Sequence, residues 1–128
     1  MASNSFNSNE EGLIGFEQAC KDFRVDIQPS WVQFIQVLPR REGVEKTAAW
    51  ARKFLTQPTR PTAVICQGMG IARAVVSVAQ QLQLQVPRQL SVLGSGTQAE
   101  AERSYPCMAH MQPDYPKIVH QALFMLEQ

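Results

Sequence analysis

Two glycine-bearing turns carry the residues best placed for chemistry in this chain, Gln67-Gly68-Met69 and, further on, Ser95-Gly96-Thr97. Each closes a short run rich in β-branched residues, Ala63 to Cys66 in the first case and Leu90 to Leu93 in the second. A glycine-rich turn after a strand can aim backbone N–H groups at a phosphate. Here no third glycine and no Lys-Ser/Thr pair follows Gly96, so the string also fits a plain turn. Ser95, His110 and Asp114 are the types a nucleophilic triad uses, yet Ser95 lacks the Gly-x-Ser-x-Gly elbow that would present it. His110 and His120 have no Cys or carboxylate at metal-ligand spacing, so no metal and no cofactor is expected. Gln112 and Asp114 precede the last helical segment; they suit hinge or cleft chemistry, and Asp114 equally suits a helix N-cap.

These turns need a scaffold, and the apolar periodicity supplies one. Between them, Ile71, Val75, Val78 and Leu82 recur at helical spacing, which predicts a helix over 69–82 between strands 63–66 and 90–93. A β-α-β unit makes the strands parallel with a right-handed crossover. Ligands of open parallel sheets sit outside the carboxyl ends of the strands, so residues 67–70 and 94–98 should meet at one functional edge.

Outside this unit, Leu13, Phe16, Cys20 and Phe23 mark a helix over 11–23, and Pro29 sits in a turn. The aromatic and β-branched run 31–38 predicts a half-buried strand stopped by Pro39. Val44, Ala48, Ala51 and Leu55 mark a helix over 40–56. The segment from Gln98 to Pro106 reads as a loop, 107–111 as a short strand and 115–127 as a final helix. Met1 to Glu10, rich in Ser and Asn, reads as a flexible leader. The expectation is a single α/β lobe over 11–128, a three-layer sandwich with a mostly parallel sheet.

At 128 residues the chain can bury roughly two-thirds of its unfolded surface, so it needs no disulfide or metal staple. Twelve basic against 11 acidic side chains, with no like-charge block, argue against direct nucleic-acid binding by this segment. No apolar run approaches the ~18 residues of a membrane span, and the polar start lacks a signal-peptide pattern, which points to the cytoplasm. Cys20, Cys66 and Cys107 are odd in number and far apart, as expected of free structural thiols in a reducing compartment.

The strings Arg60-Pro61-Thr62-Ala63-Val64 and Val86-Pro87-Arg88-Gln89-Leu90-Ser91-Val92-Leu93-Gly94, with Gly15-Phe16 before them and Gln112-Pro113-Asp114-Tyr115 after, carry a resemblance. They resemble the C-terminal lobe of the effector-binding domain of LacI/GalR-type transcription regulators, a periplasmic-binding-protein-like fold. The resemblance implies a non-enzymatic, Rossmann-like ligand-sensing or dimerisation lobe, with a small-molecule effector and either a homodimer or an N-terminal lobe as partner. It places Gln67, Gly68, Met69, Ser95, Gly96, Thr97, Gln112 and Asp114 at the ligand edge. Where such regulators carry an Asn-Asp pair this chain has Gly68-Met69, where they carry aspartates it has Ser95-Gly96-Thr97, and where they carry an arginine it has Gly12. A sugar or purine lacking those charged partners would leave polar groups unpaired at roughly 1 to 3 kcal/mol each, so ordinary effector binding is not expected. The other reading is a free-standing flavodoxin-like module holding a phosphorylated small molecule or nucleotide at the two glycine turns.

Overall fold

The computed structural model describes residues 7–34 and 40–127, and the chain divides into two units after Phe34. The first unit holds α1 (Asn7–Asp22) and one turn of 3-10 helix, Pro29–Trp31. The second holds α2 (Arg40–Leu55), β1 (Ala63–Cys66), α3 (Met69–Gln81), β2 (Ser91–Ser95), α4 (Gln98–Glu102), β3 (Ala109–Met111) and α5 (Tyr115–Leu126).

In the first unit Cys20 is the residue α1 buries. The helix ends in a Schellman-type closure: Val25 N–H donates to Cys20 O at 2.8 Å and Arg24 N–H to Lys21 O at 3.1 Å, with Arg24 at φ 55°. The expected strand over 31–38 is corrected where the structure describes it. Pro29 at the head of the turn leads Trp31 into the 3-10 helix, and Val32 to Phe34 have no regular structure. Residues 35–38 lie outside the described residues. So do Met1 to Phe6, whereas residues 7–10 of the expected leader already belong to α1.

The second unit contains the expected α/β sandwich. Its three strands run in the order β1-β2-β3 and both pairings are parallel, with Val64 opposite Val92, Cys66 opposite Gly94 and Gly94 opposite His110. Alternation sends Val64, Cys66, Val92 and Gly94 to the buried face, which α3 covers through Ala72, Val75, Val76 and Ala79. Behind α3 lies α2, whose buried stripe is Thr47, Ala51, Phe54 and Leu55. Val44 is half exposed, because the stripe turns toward Thr47, whose hydroxyl donates to Gly43 O at 2.7 Å. Fully buried Ala51 lets α2 approach closely, and Arg52 donates a hydrogen bond to the Gln81 side chain at the rim.

Two surfaces stay in water. On the opposite sheet face Ile65 and Met111 are about half exposed, and α5 buries none of its residues. One element was missed in the sequence: the loop expected over 98–106 contains α4, started by Thr97 with a capping box to Glu100.

Candidate functional site

The ends of β1 and β2 meet side by side, as the β-α-β reading requires, and Met69 packs against the end of β2. It opens α3 behind Gly68, whose carbonyl accepts from Ala72 N–H at 3.0 Å, and it is only 3% exposed. A Cβ placed on Gly94 would stand 3.1 Å from Met69 Sδ and 3.0 Å from Ala72 Cβ; one on Gly96 would stand 3.0 Å from Met69 Cβ. The Met69 side chain therefore lies directly against backbone, in space that only the two missing side chains leave free. Gln67 beside it is exposed, Gly68 is half-buried, and Gly70 faces open space.

The second turn is closed just as tightly by hydrogen bonds. Gly96 N–H donates to Met111 O at 2.9 Å, tying the turn to β3. Thr97 N–H donates to Glu100 Oε2 at 2.9 Å, Glu100 N–H to Thr97 Oγ1 at 3.3 Å, and Gln98 N–H to Gln112 Oε1 at 2.9 Å. The amides of Gly96, Thr97, Gln98 and Glu100 already have acceptors, and one of those acceptors is a carboxylate. Bonding to Thr97 N–H, then to its hydroxyl, with Arg73 and Arg103 nearby, holds the Glu100 carboxyl below the usual range. The turn thus supplies its own anion, which removes the physical basis for a phosphate cradle there.

The remaining sequence-predicted residues separate by role. Ser95 ends β2 and is half-buried with Thr97. Gln112 accepts from Gln98 N–H through its Oε1, and Asp114 caps α5, accepting from Lys117 N–H at 3.1 Å. The expected edge is therefore assembled, but Met69 is its buried floor and Thr97 and Asp114 serve as caps. Beneath the edge Cys66 is buried, and burial pushes its thiol up to about 11. Glu100 was missed as a member of the site, although Thr-x-x-Glu is a capping signature legible at that spacing.

Elsewhere, within the first unit, α1 and the segment after it frame an open hollow of about 510 Å³ with Leu13, Cys20, Val25 and Val32 among its walls and Glu17, Lys21 and Asp26 among its polar groups. Among the described residues no three His, Cys, Asp or Glu side chains gather as metal ligands, and no helix is long and apolar enough to cross a membrane.

A parallel α/β lobe with its candidate site at the carboxyl ends of β1 and β2 defines the class, that of Rossmann-like lobes. Residues 3–128 match the family model described as a periplasmic binding protein-like domain, and the chain belongs to that family, in the form found in LacI/GalR-type effector domains. It is 26% identical over 120 residues to the HTH-type transcriptional repressor PurR of Shigella sonnei and 27% identical over 120 residues to that of Pectobacterium carotovorum. In both cases 94% of this chain is covered, and it spans about a third (34%) of the relative's length. Among solved structures it is similar to a LacI family transcriptional regulator from Bifidobacterium animalis, with 27% identity and a TM-score of 0.53 over 56% of this chain and 26% of that one. Effector domains of this type are non-catalytic regulatory modules.

Proposed function

We propose that the chain is the C-terminal ligand-sensing and dimerisation lobe of a LacI/GalR-like transcription regulator working in the cytoplasm, with association as its retained role. The observation that carries this reading is α5. It leaves the sheet edge through Gln112 to Asp114 with Ile118, Val119, Leu123, Phe124, Met125 and Leu126 between 52% and 82% exposed. Those six side chains leave a large apolar surface in water, of the kind a stable interface buries. A helix so apolar belongs inside a larger assembly. In the regulator the cover is an N-terminal lobe to which the chain crosses back at Gln112 to Asp114; for this chain alone it is a second copy. Gln67 and Gln112, exposed at the rim, are the proposed contacts for any effector held between lobes, with Gly68, Ser95, Gly96 and Thr97 as the adjoining backbone wall and Met69 as its floor.

Size-exclusion chromatography with light scattering tests the reading. The chain should run as a dimer or larger, and Leu123→Glu should shift it toward the 14.3 kDa monomer. A stable monomer at high concentration that unfolds cooperatively would overturn it in favour of a self-sufficient module.

A further inference from the structure

We propose that Met69 is the specificity-determining residue of this lobe: its side chain is a built-in apolar occupant of the space against Gly94 and Gly96 at the carboxyl end of β2, so that the floor rejects hydroxylated and polar heterocyclic ligands and would take only a small apolar one in its place. The inference rests on the reading of that edge as the ligand edge, and it adds what the edge can accept.

Three observations converge on it. Met69 is the first residue of α3, so its backbone is fixed by the helix, yet its side chain points across to the neighbouring strand rather than to solvent. Its terminal methyl Cε lies 3.3 Å from the Cβ positions of both Gly94 and Gly96, so one side chain bridges the last residues of β2 and the turn that follows. The polar groups of that turn face inward to one another: the Thr97 and Glu100 pair satisfies both of its backbone N–H groups, leaving no donor aimed at the crevice floor from this pair. A thioether against two glycines is a flexible apolar filler. A hydroxylated ligand entering there would trade its water hydrogen bonds for contact with a thioether and two glycines.

A chain labelled with ¹³C-methyl methionine provides the first readout: Met69 ε-methyl should give nuclear Overhauser contacts to the α-protons of Gly94 and Gly96 in the free protein. Met69→Ala should then bind benzene at least tenfold more tightly than the wild type, with amide shifts centred on Gly94 and Gly96, and gain nothing toward D-ribose. Absence of those methyl contacts, an equal benzene response in both proteins, or a tenfold gain for ribose would overturn the proposal. Should Met69→Ala fail to fold, the wild-type contacts and the corresponding contacts of the residue-69 δ-methyls in Met69→Leu, labelled at leucine methyls, decide it. None of these readouts depends on oligomeric state, so loss of the dimer reading and loss of this one are separable.

Discussion

Replacing Gly94 by alanine puts a methyl group 3.0 Å from Ala72 Cβ and 3.1 Å from Met69 Sδ, and the two neighbours respond differently. Ala72 is fully buried on α3 and moves only with its helix, whereas Met69 can swing about three side-chain bonds. Overpacking of this kind costs about 1 to 3 kcal/mol. Met69→Ala alone deletes a buried thioether side chain and should cost about 2 to 5 kcal/mol. Combined, the new methyl at 94 enters space that Met69 has vacated. The clash with sulfur disappears and part of the cavity is refilled, so the double variant should be more stable than the sum of the singles by about 1 kcal/mol or more. Urea unfolding followed by circular dichroism, with the dependence on denaturant unchanged between variants, measures all four corners of the cycle. Additivity within about 0.5 kcal/mol would mean that Met69 and Gly94 do not share that space, and the picture of a filled crevice would fail.

Thr97→Ala removes the cap of α4 and should cost about 0.5 to 2 kcal/mol in the same assay. Glu100 has a lowered folded-state pKa, so its contribution is present above the unfolded value of 4.5 and is lost as pH falls through the folded value. Glu100→Gln should flatten that acid limb, which a pH series of melting temperatures reads; an unchanged slope would refute the pairing with Thr97. Cys66 has the opposite sign, its folded thiol raised to about 11 from 9.0, so the stability it contributes is present below pH 9.0 and declines from there to about 11. Thiol labelling at pH 8 should accordingly find exposed Cys107 first and Cys66 only on unfolding; equal rates would contradict the burial.

The β-α-β unit was legible because each of its elements carries a local signature: β-branched runs ending in glycine around a 3.6-residue apolar stripe. Asp114 was legible as a cap for the same reason, since a side chain that bonds N–H three residues on needs no tertiary contact. Met69 was not. Its position put it at the ligand edge, but its burial depends on two glycines in the next turn, a relation that no local pattern expresses. The expected strand over 31–38 failed in its first residues for a related reason: β-branched and aromatic content states a preference, while pairing is decided elsewhere, and Pro29 started a 3-10 turn instead. In α4 the capping box was visible and the helix was too short, at five residues, for its periodicity to show.

The most direct test of a lobe whose ligand edge is filled from within is a titration of the ¹⁵N-labelled chain with D-ribose, D-glucose and adenine, following the amides of Gly68, Gly94, Gly96 and Thr97. With Met69 on the floor and Glu100 holding the turn, those resonances should stay still up to about millimolar ligand, the equivalent of roughly 4 kcal/mol of binding. Saturable shifts at these amides with a micromolar midpoint for any of the three would show that the crevice is open, and would contradict the central claim.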